Sequence, residues 1–378
     1  MRRQPKTRRR RNHRRRLGYQ QLSSRLLLAG DFHNESFPLD VDNNQTVSPL
    51  DALLLINGIA SGEGISETID GMRVYMDTSG NGELSPLDAI LVINGIAQAE
   101  DVGIPGVTAF SADGSDILLS FSGDNATLAV TASATPNHLT FTSAGQSEDF
   151  PITDDFIVNA TGENLTLNIT DATIPDDLII RATGSGNQVN LNGVTIEDDF
   201  VYRGGSGADT ITLANYTLIH DTATILTGRG DDVLIATRSY VGDDLIVDFG
   251  SDDDVIDLRA STVQENLRIN VGGGSDDVAL ERTNIHNDLF IEAEGGNDSL
   301  FFNRSYVSDD AIINLGSGDD VIGVFGTVVR DRIELDGESG RDLLFANDDG
   351  LFDGNIDVDG IEALDALADP GEPILPVI

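Results

Sequence analysis

One register recurs nine times through the second half of the chain, and it leaves few folds open. Asp154, Asp176, Asp198, Asp221, Asp243, Glu265, Asn287, Asp309 and Asp331 follow one another at spacings of 22, 22, 23, 22, 22, 22, 22 and 22 residues. Two residues before each stands a β-branched residue, from Ile152, Ile174 and Ile196 through to Val307 and Val329. Beyond each lies an alternating apolar pair such as Phe156 and Val158, Leu178 and Ile180, or Leu245 and Val247. Period-two alternation is the strand signature. A strand repeat of this length with no helical segment makes one solenoid turn per copy. Asp-Asp-Leu-Ile-(Ile/Val) forms one strand, Val-Ile-x-Leu after a Gly-rich turn a second, and a short Thr-x-Val arm closes the coil. Coils stacked about 4.8 Å apart give a core roughly 43 Å long. Repeat arrays need capped ends. Residues 104–150, rich in Thr, Ser and Ala, are expected to cap the start of a solenoid spanning 151–347. Residues 348–378, with the degenerate coil Leu351-Phe352-Asp353 and an acidic Pro-containing tail, are expected to cap its end.

This architecture resembles that of pectate lyases and many surface adhesins, and the resemblance implies a mainly β, right-handed parallel β-helix. The turn Gly204-Gly205-Ser206-Gly207-Ala208-Asp209-Thr210-Ile211 also resembles the calcium repeat of RTX proteins, and Gly228-Arg229-Gly230-Asp231-Asp232-Val233 nearly so. Its Asp recurs at 209, 232, 254, 277, 298, 320 and 342. RTX rolls carry the motif every nine residues, whereas this chain has one arc per coil. Two readings stay open: glycine turns the corner with a solvated Asp capping it, or the turn holds ions. Carboxylates stacked about 4.8 Å apart repel by roughly 0.9 kcal/mol in water and about 3.5 kcal/mol at an effective dielectric of 20. Calcium or high ionic strength is therefore expected to raise the solenoid's melting temperature.

A second duplication precedes the solenoid. Residues 40–51 read Asp-Val-Asp-Asn-Asn-Gln-Thr-Val-Ser-Pro-Leu-Asp, and residues 77–88 read Asp-Thr-Ser-Gly-Asn-Gly-Glu-Leu-Ser-Pro-Leu-Asp. Both place side-chain oxygens at positions 1, 3, 5, 9 and 12 and run into Ala-(Leu/Ile)-Leu-(Leu/Val)-Ile-Asn-Gly-Ile. That spacing wraps a chain around a hard cation, with a backbone carbonyl from position 7. The expected Ca2+ ligands are Asp40, Asp42, Asn44, the Thr46 carbonyl, Ser48 and Asp51 in loop one. In loop two they are Asp77, Ser79, Asn81, the Glu83 carbonyl, Ser85 and Asp88. Position 12 is Asp rather than the longer bidentate Glu of an EF-hand. Position 6 needs a sharp turn, which Gly82 supplies and Gln45 does not, so loop two is expected to bind more readily.

Neither loop has a helix before it. A duplicated calcium loop with only its exiting helix resembles the type I dockerin, over residues 35 to 98 within a module at 31–103. The resemblance implies a small α-helical, EF-hand-like unit that docks onto a cohesin-like or other scaffold partner in extracellular polysaccharide-degrading assemblies. Dockerin positions 10 and 11, often Ser-Thr in cellulosomal forms, are Pro49-Leu50 and Pro86-Leu87 here. The repeated Pro-Leu pair offers an apolar, roughly two-fold symmetric contact face. The competing expectation, held for most of these side chains, is that the leucines pack the two helices together.

Charge divides the chain. Residues 1–30 hold ten Arg and the only Lys with no acid, while the remainder holds 12 Arg against 64 acids. The Arg run leads into Leu26-Leu27-Leu28-Ala29-Gly30, a short apolar stretch that reads as an export leader rather than an RNA-binding tail. Its sequence resembles the leader of many exported planctomycete proteins. The expected location is extracellular or at the cell surface, with no nucleic-acid partner and no segment long enough to span a membrane. With no Cys in the chain, neither disulfides nor thiolates are available.

Catalysis finds little foothold. A β-helix lyase needs a cationic base beside calcium-binding acids, but the sole Lys is in the leader and the body arginines are scattered. Carboxylates sufficient for a glycosidase occur throughout and so select nothing. The coils carry no long loop over a cleft, and no Ser/His/Asp grouping or phosphate loop is present. The favoured reading is a non-catalytic calcium-binding tether carrying an acidic β-helix. The alternative is a polysaccharide-active hydrolase or lyase delivered by the same tether, with a polysaccharide ligand left open.

Overall fold

A computed structural model describes residues 39–42, 47–61, 68–69, 72–79, 83–101, 107–112, 116–346 and 355–366. The leader and the degenerate coil expected at 351–353 lie outside them. Two helices, α1 (Pro49–Ser61) and α2 (Pro86–Asp101), are followed only by strands. Pro at the first helical position costs nothing, because its missing N–H would be unsatisfied there anyway.

From residue 156 onward the chain climbs a three-sided solenoid of about nine turns. One side is a parallel ladder running Phe156–Ala160, Leu178–Ala182, Phe200–Arg203 and on to Arg332–Asp336. The second runs Thr166–Thr170, Gln188–Asn192, Thr210–Ala214 and on to Asp342–Ala346. The third is an 8-stranded ladder of two-residue strands from Thr173–Ile174 to Val328–Val329. The repeat columns pair in register, with Leu178 against Phe156 and Phe200, and Ile180 against Val158 and Tyr202. Alternate residues point inward, so Ile174, Ile180, Val189, Ile211, Ile225 and Ile256 are all fully buried in one continuous core. Antiparallel hairpin strands, Thr127–Ala132 with His138–Ser143 and Gln146–Pro151, join the start of the second ladder. Asn355–Asp359 and Ile361–Ala366 extend two ladders at the far end.

Each coil has a left-handed corner that the alternation pattern does not reveal. Asp171, Gly193, Asn215, Arg238, Ala260, Arg282, Arg304 and Gly326 sit there with φ between 48° and 65°. The N–H groups of Asp171, Gly193, Arg238, Ala260, Arg282 and Arg304 reach the next coil, as from Arg238 to Arg259 O at 2.9 Å and from Ala260 to Glu281 O at 2.8 Å. A buried hydroxyl locks the same corner: Thr283 Oγ1 donates to Leu258 O at 2.8 Å and Ser305 Oγ to Leu280 O at 2.8 Å.

The Gly-rich corner departs from its sequence reading in two respects. The stacked column is Asp209, Asp232, Asp254, Asp276, Asp298, Asp320 and Asp342, so Asp276 replaces the expected Asp277, which opens a strand instead. These carboxylates are not solvated caps; each is at most 1% exposed. They serve as coil-to-coil staples, because each accepts the backbone N–H of the equivalent residue one coil earlier.

Candidate metal centre and docking face

The two loops repeat their hydrogen bonds as they repeat their sequence. In loop one, Asp51 Oδ1 accepts the N–H of Val41 at 2.8 Å and of Asp42 at 3.3 Å, while Oδ2 accepts the N–H of Ser48 at 2.8 Å. In loop two, Asp88 Oδ1 accepts the N–H of Ser79 at 3.0 Å and Oδ2 that of Ser85 at 2.8 Å. The position-9 hydroxyls cap the helices: Ser48 Oγ accepts from Leu50 N–H at 3.2 Å and Ser85 Oγ from Leu87 N–H at 3.3 Å. Together they form a capping box at each helix start, so one Asp both closes its loop and opens its helix.

Asp40, Asp51, Asp77 and Asp88 are fully buried. Asp40, Asp42 and Asp51 converge, each offering an oxygen within 4.8 Å of the others. Three converging carboxylates in an oxygen-only donor set fit a hard divalent cation such as calcium. Bound there, calcium would neutralise the acids and cross-link the loop's first residue to the helix start. Burial pushes Asp51 above the usual carboxylate range despite its N–H donors, and the Asp42 charge adds to the push. Burial alone would also raise Asp88, but hydrogen bonds from Ser85 and Ser79 outweigh it and hold it below that range. Desolvation of Asp51 is the larger part of the difference, and position 3 adds to it: Asp42 in loop one raises Asp51, whereas Ser79 in loop two donates to Asp88. Loop one thus carries the greater need for a cation. Asn44, Thr46, Asn81, Gln45 and Gly82 lie outside the described residues. Glu83 is described and exposed.

The helices pack through Ala52, Leu55, Ala89 and Val92, with Val41, Val74 and Met76 from the loops. Gly58 makes room for Met76, since a Cβ there would fall 2.3 Å from the Met76 methyl carbon. Leu54, Ile59, Leu84, Leu91 and Ile96 pack partly buried against this core, but both Pro-Leu leucines and half of the Leu-Leu-Leu-Ile run do not, which contradicts the expectation that most of these side chains are helix packing. Leu50, Leu53 and Ile56 are 48, 49 and 44% exposed, and their counterparts Leu87, Ile90 and Ile93 are 48, 49 and 45% exposed. Of Leu53-Leu54-Leu55-Ile56, only Leu55 is buried. The expected symmetric apolar face is present. Between the helices it deepens into an open groove of 370 Å³ lined by Ile56, Ile59, Ala60, Pro86, Ala89, Ile90 and Ile93.

The family description that matches this region is the dockerin type I domain, over residues 38–97. Residues 38–97 are a dockerin type I domain. Dockerin domains bind calcium and dock onto cohesins. A search of curated proteins and of solved structures returned no match. Among the described residues, no helix is long and apolar enough to cross a membrane.

Beyond the dockerin, acids gather at the Asp-Asp corner of the solenoid. Asp154, Asp155 and Asp176 converge, as do Asp176, Asp177 and Asp198, then Asp198, Asp199 and Asp221, and at the far end Asp309, Asp310 and Asp331. Asp176 is pushed up to about 7, first by its hydrogen bond with Asp154 and then by partial burial and neighbouring acids. Asp155 is pushed up to about 6, chiefly by burial. The sequence column 154, 176, 198, 221 anticipates this row. It does not reveal that the second Asp of each pair staples the coils, as where Asp177 Oδ1 accepts Asp199 N–H at 2.9 Å.

Proposed function

We propose that this chain is an exported tether: its dockerin domain, organised by calcium, docks an acidic, non-catalytic solenoid onto a cohesin-like module. The setting is the cell surface or an extracellular polysaccharide-processing assembly. The observation that carries this reading is the matched exposure of Leu50 with Leu87, Leu53 with Ile90 and Ile56 with Ile93. Six large apolar side chains left in solvent on two short helices mark an interaction face. Its position beside the calcium loops makes the face depend on their folding. Pro-Leu in place of Ser-Thr at loop positions 10 and 11 supports a partner whose surface is apolar rather than rich in hydrogen-bonding groups.

The test is binding of the full chain to a panel of cohesin modules, in millimolar calcium and in chelator. Binding is expected only with calcium, and the double variant Leu50→Glu/Leu87→Glu should lose it while keeping its helical signal. Unchanged affinity in the double variant would remove the apolar face from the interaction. In parallel, a reducing-sugar and unsaturated-product assay across acidic polysaccharides is expected to show no turnover; turnover on any of them would replace this reading with that of a dockerin-borne enzyme.

A further inference from the structure

The Gly-rich corner buries a file of acids whose charge has no visible compensation. Oδ1 of Asp254 accepts the N–H of Asp232 at 2.7 Å, that of Asp276 the N–H of Asp254 at 2.7 Å, that of Asp298 the N–H of Asp276 at 2.9 Å, and that of Asp320 the N–H of Asp298 at 2.7 Å. The second oxygen has no such partner. Oδ2 of Asp254, Asp276, Asp298, Asp320 and Asp342 is out of solvent and receives no N–H or hydroxyl hydrogen bond, whereas Asp232 has the Thr227 hydroxyl beside it. At the start of the file, by contrast, Asp209 Oδ2 accepts the Tyr202 hydroxyl at 2.8 Å.

The position seven residues before each Asp explains the difference: Tyr202 is followed in register by Ile225, Val247, Ile269, Ile291, Ile313 and Leu335, none of which carries a donor. A second neighbouring position lines the same carboxylates. A Cβ on Gly204 would lie 2.5 Å from Asp209 Oδ2, and one on Gly337 would lie 2.6 Å from Asp342 Oδ2, so this position abuts the carboxylate. In register between them stand Thr227, Phe249, Val271, Ala293 and Leu315, all buried. Four consecutive carboxylates, Asp254 to Asp320, are therefore set against hydrocarbon. The charged groups that bear on them are acids: the file neighbours, with Asp231, Asp253, Asp277 and Asp319 of the adjoining turns and strand. Arg229 and Arg341 in the same turns are exposed. Leaving an unpaired carboxylate in such surroundings is costly, and the group takes up a proton instead. A hard cation needs six or more oxygens. Among the described residues, acid triads converge in loop one and at the Asp-Asp corner, not here. A proton needs only the one orphan oxygen.

We propose that Asp254, Asp276, Asp298 and Asp320 form a proton-loaded file inside the solenoid, so that rising pH loosens the coil stack. Burial, with repulsion from acidic neighbours, pushes Asp254 up to about 8, Asp276 to about 6 and Asp298 to about 7, and raises Asp320. Because the folded values exceed the unfolded one, about 3.9, this contribution is complete below about pH 4 and is lost as pH rises through about 6 to 8. For each carboxyl that keeps its proton, the folding constant falls up to about tenfold per pH unit.

The test is denaturant unfolding of the full chain from pH 5 to pH 8, following the β-sheet signal. The variant Asp254→Asn/Asp276→Asn/Asp298→Asn/Asp320→Asn keeps the stapling oxygen and needs no proton, so it is expected to reduce the slope, leaving the part that Asp155, Asp176 and Asp209 carry. The surface control Asp252→Asn/Asp253→Asn/Asp277→Asn/Asp319→Asn is expected to keep most of the slope. Infrared spectra of the unaltered chain at pH 6 should show a neutral carboxylic-acid band, a readout that holds even if the quadruple variant fails to fold. Absence of that band, equal slopes in the interior variant and the unaltered chain, or calcium stoichiometry that drops in the interior variant would each overturn the proposal, the last by assigning the file to calcium.

Discussion

Ser48 and Asp51 are joined twice at the start of the first helix: the Ser48 N–H and hydroxyl both donate to Asp51 Oδ2, at 2.8 and 3.1 Å. Ser85 and Asp88 repeat the pair at 2.8 and 3.0 Å. The last loop residue therefore spends its charge on the helix start as well as on the loop. Calcium binding and helix formation become one event, because each orders the same carboxylate.

Removing the cap should weaken the helices even with calcium present. Ser48→Ala and Ser85→Ala are each expected to cost about 1 kcal/mol of helix stability, the usual value of an N-cap hydroxyl. Denaturant titration of the helical signal in saturating calcium measures it. No shift in midpoint would mean that the hydroxyls serve only the cation.

Asp77→Ala/Asp88→Ala removes the first and last carboxylates of loop two and should abolish the helical signal, while the solenoid's β signal and melting stay unchanged. The two parts have separate cores, one built on Leu55 and Val92 and the other on the stacked strands. A matching loss of the β transition would show that the parts fold together.

The left-handed corner gives a substitution of opposite sign. Ala260 holds φ of 50° and is exposed, with its N–H bonded to Glu281 O. Ala260→Gly keeps that bond and relieves a Cβ clash worth roughly 1 kcal/mol. The variant is expected to melt slightly higher, and a lower melting temperature would mean that chain entropy outweighs the strain.

At Gly296 the effect reverses. A Cβ there would lie 1.3 Å from Gly274 O, and φ is 152°, whereas a Cβ on Gly123 meets nothing within 4 Å. Gly296→Ala should destabilise the solenoid by more than about 2 kcal/mol, and Gly123→Ala by much less. Similar melting of the two variants would contradict the close coil stacking at this corner.

Much of this was legible in the chain, and the failures have a common cause. Period-two columns predict the coils, their register and the inward positions from Ile152 to Leu335, because each column repeats one side chain's environment. The same signal is silent on hydrogen bonding across coils. Asp276 and Asp277 are adjacent acids, and only the stacked backbone shows that Asp276 is the one turned inward. In the dockerin domain the ligand spacing stands out in sequence. The exposure of Leu53 and Ile56 does not, since a run of four apolar residues on a helix must point some of them away from any single neighbour.

The acid triads at the Asp-Asp corner carry the expectation that cations help the solenoid. Millimolar calcium or high ionic strength should raise the melting temperature of the β signal, since the exposed acids repel one another less when screened or bound. An unchanged melt between chelator and calcium would show that the coil staples suffice without ions.

The most direct measurement is calorimetric titration of calcium into the chelator-stripped full chain, with circular dichroism recorded at each addition. The account predicts heat from two sites and helicity that rises in step with occupancy. Full helicity in chelator, or no heat at millimolar calcium, would contradict the claim that calcium organises the docking domain.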